Sequence, residues 1–283
     1  MATVQQPVPG SQPPTTVLAL DDFLEEIRRV YGYDFTGYAR ASLSRRIEAA
    51  IARERLPDLA SLAARVLADH DAMGRLLLDF SVNSTGMFRD PGFWRCLRQQ
   101  ALPYLATFPG LRVWSVGCST GEEVWSLAIL LHEAGLAART IIYATDFNAA
   151  VLARAQSGIF DLGEMRTYTE NYIAAGGREE FAGYYTAAHG GARFDPALMR
   201  NACFAQHNLA SDGVFNEFNL ILCRNVLIYF GPALQHRVHD LLHASLAPLC
   251  LLGLGDKESL RFDPHAGDYE VLDGRHKLYR RKP

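Results

Sequence analysis

Several things are scarce in this 283-residue chain, and each scarcity removes a class of function. Lysine occurs only at positions 257, 277 and 282, so arginine carries nearly all the positive charge, which we read as composition rather than function. The net charge of −3 argues against a general polyanion or nucleic-acid binder. The five cysteines (Cys96, Cys118, Cys203, Cys223, Cys250) are scattered, with no C-x-x-C pair and no partnered histidines, which argues against a metal site and for buried thiols. No apolar run approaches the roughly 20 residues of a membrane span. The N-terminus also lacks the charged-then-apolar order of a leader, so a cytoplasmic protein is expected, with no direct membrane insertion. The length allows one large domain, or a main domain with a smaller one.

What is present divides the chain. Residues 1–16 are rich in Pro, Gln and Thr without periodicity and read as a disordered tail. From 17 to 80 every pattern is helical. Asp21 or Asp22 is placed to cap a first helix carrying Phe23, Leu24, Ile27 and Val30; a second helix spans about Ser42–Leu56, and a third begins near Asp58. After residue 110 strands alternate with helices. The strands expected are Arg112–Val116, Thr140–Thr145, Asn219–Cys223 and Leu249–Leu254, followed by a hairpin of Tyr269–Leu272 and Lys277–Arg281 turned at Asp273-Gly274. The helices expected are Glu122–Ala134, Ala149–Gln156 and Ala233–Leu246. This is an α/β fold: a Rossmann-like parallel sheet with an antiparallel edge hairpin, preceded by an all-helical domain and binding its ligand at the carboxyl ends of the strands. Glycine-rich turns break the rhythm at about 181–206 and suggest an inserted β-subdomain.

Residues 112–131, RVWSVGCSTGEEVWSLAILL, are the most informative stretch. A β-branched run stops at Gly117, small residues follow, and a helix opens on Glu122 and Glu123. The loop has neither the G-x-G-x-x-G spacing nor the Lys-Ser/Thr of a phosphate cradle. Two acids sit where a pyrophosphate would lie, so the loop suits a ligand that is cationic or neutral there. S-adenosylmethionine (SAM), with its sulfonium and ammonium, meets that description. Asp146, at the end of the next strand, is placed to accept from ribose hydroxyls; the alternative is that it caps the helix after Asn148. A third strand ends in Cys223-Arg224-Asn225 and runs into Tyr229, which reads equally as a ligand-facing group or a core aromatic. The segment 81–91, SVNSTGMFRDP, joins the two regions and reads as a linker with a helix cap, or as a ligand site at a domain junction.

Taken together these segments resemble the chemotaxis receptor methyltransferase family, CheR, which methylates glutamate side chains using SAM. NSTGMFRD, CSTGEEVWS, Ala144–Asp146, His207-Asn208-Leu209 and Cys223–Phe230 stand in the family's order. The resemblance implies a helical domain at 17–80, a linker at 81–95 contributing to the cofactor site, and a SAM domain at 96–283. It implies that Asn83, Thr85, Arg89, Gly117, Glu123, Asp146, Asn208, Leu209, Cys223 and Arg224 hold SAM, with Glu123 toward the methionine amino group. Arg89 and Tyr229 would lie beside the transferred methyl, and S-adenosylhomocysteine would be the product. It also implies that the second helix meets the cytoplasmic helical region of chemoreceptors through Arg45, Arg46, Arg53 and Arg55. A solvated face balanced by Glu48 and Glu54 is the other reading, and whether the β-subdomain grips a receptor tail peptide stays open. The chain departs from the family pattern at Met87, Val124-Trp125 and Gly255-Asp256-Lys257-Glu258. The last departure keeps one rival in view, a methyltransferase of the same fold acting on another signalling protein or a small molecule; a second rival, a non-catalytic SAM-sensing module, is opposed by the intact Arg89, Asp146 and Tyr229.

Overall fold

In the computed structural model the residues described are 19–81, 85–188, 190–261 and 263–283. The expected tail and Asn83 lie outside them. Four helices come first, α1 (Leu20–Tyr31), α2 (Arg40–Arg53), α3 (Leu59–Ala68) and α4 (His70–Phe80). The apolar positions of α1, Phe23, Leu24 and Ile27, are all buried. Its cap differs from expectation. Ala19 precedes the helix and offers no side-chain bond, so Asp21 and Asp22 lie inside the first turn, where their charge still faces the positive end of the helix. Asp58 does cap α3, accepting from the Ser61 N–H at 2.8 Å.

The chain then runs through α5 (Pro91–Cys96), a π-turn and α6 (Leu102–Leu105) into β1 (Leu111–Val116), α7 (Glu122–Glu133), β2 (Thr140–Asp146) and α8 (Ala149–Ser157). There follow β3 (Ile159–Asp161), α9 (Met165–Ala174), β4 (Tyr185–Ala188), β5 (Gly191–Phe194), β6 (Ala202–Gln206) and β7 (Phe218–Cys223). The last elements are α10 (Pro232–Ser245), β8 (Leu246–Leu254), β9 (Tyr269–Asp273) and β10 (Leu278–Arg281). Seven strands make the main sheet in the order β6-β2-β1-β7-β8-β10-β9. Neighbours from β6 to β8 are parallel, and β10 is antiparallel to both β8 and β9. The expected parallel sheet with an antiparallel edge is therefore present.

Three expectations need correction. Ala202–Gln206 is not part of an inserted element; it pairs in parallel with β2 as the edge of the main sheet. The small antiparallel sheet is β3-β5-β4, and it recruits Ile159–Asp161 from well before the glycine-rich stretch. The edge hairpin is not turned by two residues. Asp273 ends β9 opposite Leu278, and its carboxylate accepts from the Arg275 and His276 N–H groups across a longer loop.

Alternation along the central strands sorts side chains to the two faces of the sheet. Trp114, Val116, Ile221, Cys223, Leu252 and Leu254 join one core, and Leu111, Val113, Leu220, Leu222 and Leu251 the other. The first core is continuous with Phe23, Leu24, Leu43, Leu76 and Phe80 of the helical region. Phe35 meets Phe80 at 4.8 Å and Phe147 at 5.8 Å between ring centroids, and Tyr38 meets Phe230 at 4.9 Å. Main-chain bonds add to this seam: Ala39 N–H to Tyr229 O at 2.9 Å and Gly231 N–H to Gly37 O at 2.8 Å. The helices thus close over the carboxyl ends of β1, β2 and β7. A crevice lies there, at the point where the strand order reverses between β1 and β7.

Candidate active site

The crevice has two lobes that share Gly117, Ser119, Asn225 and Tyr229. One, of about 600 Å³, is mostly apolar, with Tyr38, Phe80, Phe147, Leu209, Val226 and Phe230 on its walls. The other, of about 460 Å³, is polar, and Thr85, Arg89, Glu123 and Arg224 line it.

Backbone geometry between the lobes explains the glycines. Gly117 has φ +62°, and a Cβ there would stand 2.7 Å from Val226 Cγ2. Gly121, at φ +99°, would bring a Cβ to 2.8 Å from Ala155 Cα. Both positions combine the left-handed region with no room for a side chain, so glycine is required twice. The loop they bound is tied to its neighbour by Cys118 N–H to Thr145 O at 2.9 Å.

Asp146 fixes the floor. Its Oδ2 accepts from Ser119 N–H at 3.0 Å and its Oδ1 from Asn148 N–H at 3.0 Å. It does not cap α8, because Asn148 does, accepting from Ala150 N–H at 2.9 Å. Burial pushes its carboxyl above the ordinary range against the pull of these N–H bonds. A carboxylate offers about four lone-pair sites, so Asp146 can accept from further donors as well. A pair of acceptors beside an apolar slot fits a ribose with a purine beyond it. Asn208 and Leu209 line that same slot.

Of the two acids that open α7, Glu123 lines the polar lobe. Its Oε1 accepts from Ser115 Oγ and its Oε2 from Arg224 Nη1, each at 3.1 Å. Glu122 turns the other way, accepting from Thr120 Oγ1 at 2.7 Å in a groove with Arg154, Asp161 and Glu164. Burial raises the Glu123 carboxyl, and the Arg224 guanidinium holds it down. Arg224 is a clamp more than a contact. Its side chain is 2% exposed, its Nη2 donates to Asp90 Oδ2 at 2.9 Å, and it lies 4.1 Å from the Phe93 ring centroid. Its Nε is buried with no hydrogen-bond partner among the described residues.

The structure brings Thr85, Arg89, Gly117, Glu123, Asp146, Asn208, Leu209, Arg224 and Tyr229 to the crevice. Cys223 does not reach it. The residue is fully buried at the end of β7 among core side chains, and its thiol is raised well above the ordinary value by burial. Arg46 is not on an open docking face either. It is buried, donates from Nη1 to the Phe80 carbonyl and lies over the Tyr229 ring at 4.8 Å. Arg53 is exposed but tied to Asp79 and Glu54, while Arg45 and Arg55 are exposed. Met87, in an aromatic's usual place, is fully buried in the second core, so that departure concerns packing.

Sequence reasoning missed Glu258. This carboxylate, 4% exposed, accepts four backbone N–H groups: Gly255 at 2.6 Å, Asn225 at 3.0 Å, and Val226 and Leu227 at 2.8 Å each. It knits the loop after β8 to the loop after β7 and holds Asn225 at φ +60°. Burial raises its carboxyl, and the four N–H groups pull the other way. The altered segment therefore keeps its structural acid. A glutamate two residues after Gly255-Asp256 was the available signal, since only its burial reveals the function.

Comparison with known proteins agrees with this geometry. The CheR methyltransferase SAM-binding domain matches residues 83–277, and the CheR methyltransferase all-alpha domain matches 18–81. The chain belongs to the CheR methyltransferase family. Cher3 of Pseudomonas putida is 46% identical over 91% of this chain and 94% of its own length. A chemotaxis protein methyltransferase of Listeria innocua is 28% identical over 84% of this chain and 88% of its own. Chemotaxis protein methyltransferase 1 of Pseudomonas aeruginosa is 29% identical over 77% and 81%. This CheR chain is thus a SAM-dependent methyltransferase by family, and among its described helices none is long and apolar enough to cross a membrane.

Proposed function

We propose that this CheR protein esterifies glutamate side chains of chemoreceptor proteins in the cytoplasm, with SAM bound across the two lobes. The carrying observation is that Arg89 and Tyr229 line the same polar lobe as Glu123, one step from the ribose-sized slot at Asp146. Leu209 and Phe147 would hold the adenine, Asp146 the ribose hydroxyls and Glu123, paired with Arg224, the methionine ammonium. Bound there, SAM supplies a methyl on sulfonium that a carboxylate oxygen takes in line, giving the methyl ester and S-adenosylhomocysteine. The acceptor has an unperturbed pKa of about 4.3 and enters as the anion, so no residue has to remove a proton. Positioning carries the catalysis, with a worth of roughly 7–11 kcal/mol for good alignment. Arg89 draws in and orients the carboxylate, and Tyr229 donates a hydrogen bond beside it. Too tight an ion pair would hold the nucleophile back, so Arg89 serves orientation more than neutralisation. Exposed Arg45, Arg53 and Arg55 of the α2 region offer acidic receptor helices a docking face, and such binding weakens with salt.

The test is transfer of labelled methyl from SAM to a receptor cytoplasmic fragment, read as base-labile esters. Arg89→Ala lowers kcat about 100-fold and Tyr229→Phe about 10-fold. Near-wild-type rates for both variants overturn the assignment. Turnover of a different acceptor, with none on receptors, moves the substrate class instead.

A further inference from the structure

Arg46 carries features that receptor docking does not use. It stands on α2 yet is 8% exposed, against exposed Arg45, Arg53 and Arg55. Its Nη1 donates to the carbonyl of Phe80, the last residue of α4. Its guanidinium carbon lies 4.8 Å from the centroid of the Tyr229 ring. Its Nη2 is buried with no hydrogen-bond partner among the described residues. Burying a guanidinium is costly, and the Phe80 carbonyl and the Tyr229 ring face are the contacts that offset it. The same helix also reaches Tyr229 through the main chain, since Ala39 N–H, just before α2, donates to Tyr229 O at 2.9 Å. About two helical turns separate the two grips. Tyr229 itself ends a short turn, Leu227–Tyr229, whose N-terminal half hangs from Glu258.

Resting on the function proposed above, we propose that Arg46 is a positioning residue for methyl transfer, a side chain of the helical domain that holds the Tyr229 ring over the polar lobe. A cation on the ring face draws electron density from the phenol and makes its hydroxyl a stronger donor. The charged groups around that phenol are Arg46, Arg89, Arg45 and Glu258; burial raises it, the three arginines lower it and Glu258 raises it. Docking on Arg45 and geometry at Arg46 are then adjacent residues of one helix, which gives receptor contact a short route to the reacting groups.

The experiment uses the full chain with ¹³Cζ-labelled tyrosine, Tyr229 being assigned by its loss in Tyr229→Phe. Arg46→Gln is expected to shift the Tyr229 resonance and move its titration to higher pH. It lowers kcat about tenfold and leaves SAM affinity within about twofold. Arg46→Lys, which keeps a cation near the ring, recovers part of both effects. By contrast Arg45→Gln weakens receptor affinity, the signature of docking. An Arg46→Gln variant that raises receptor KM alone, with an unmoved Tyr229 resonance, overturns the proposal. Should Arg46→Gln not fold, Arg46→Lys and the volume-conserving Arg46→Met decide by the same two readouts. Should receptors not be the substrate, the resonance alone decides, because it needs no turnover.

Discussion

Glu258 and Glu54 are both anions surrounded by donors, and they are held in opposite ways. Glu258 lies under the crevice and accepts four main-chain N–H groups; burial leaves its carboxyl raised. Glu54, at the end of α2, is met by the arginine side chains of Arg75, Arg53 and Arg65, and its carboxyl is lowered to about 2, chiefly by the hydrogen bond from Arg75. Main-chain donors cannot move, so they fix a loop even where the charge is unfavourable. Arginines on a wet surface follow the charge and favour its ionisation, but they fix little. Asp146 belongs with Glu258, being buried, raised and held by main-chain N–H groups; Glu123 is also buried and raised, but the side chains of Ser115 and Arg224 hold it. The molecule spends its rigid donors where geometry decides function.

The largest effect should come from emptying the rigid nest. Glu258→Ala strands four backbone N–H groups, two of them in fully buried bonds, and thermal or denaturant unfolding should show a loss of about 3–5 kcal/mol. A loss below about 1 kcal/mol, the level of an ordinary surface change, would dissolve the contrast. Next comes Asp146→Asn, which should weaken SAM about 10–100-fold by calorimetry, because an amide offers one acceptor where the ribose meets two. In the unaltered chain SAM affinity should also fall on acidification, beginning above the ordinary Asp value of 3.8, since the folded carboxyl is raised and takes its proton early. The smallest effect belongs to Glu54. Its folded pKa is depressed, so its contribution is complete above the ordinary 4.5 and is lost as pH falls toward about 2. Glu54→Gln should therefore unfold much like the parent only once the pH has reached about 2, and differ modestly at pH 7, with high salt narrowing the difference. Salt should leave the Glu258 variant's loss unchanged.

Legibility in the sequence follows the same division. The central strands read correctly because both faces are buried, which leaves long apolar runs that end where polar loops begin. The crevice loops read because each strand end shows its chemistry in order: Gly117, Asp146, Arg224. Short edge elements did not read. Three residues, Ile159–Asp161, are too few to show a period, and Ala202–Gln206 is an edge strand with only Ala202 and Phe204 half-buried on the second core, too short a face to stand out from the glycine-rich stretch before it. Direction was the other blind spot. The resemblance put Arg46 with Arg53 on a docking helix, but it could not reveal that this stretch of α2 turns toward Tyr229. Strand position likewise put Cys223 at the ligand end, while the pleat sends its side chain into the core. Glu258 escaped because nothing local distinguishes a buried acid from a surface one.

The seam between residues 37–39 and 229–231 has a consequence for how such proteins can be rebuilt. Ala39 and Gly231 N–H groups are satisfied across it, and Tyr38 bridges to Phe230 as a miniature strand pair. A chimera made by exchanging the helical segment alone would join two halves of a zip cut for different teeth. The transplantable unit is instead the helices together with the stretch around Tyr229, a boundary that runs through the middle of the chain's last third.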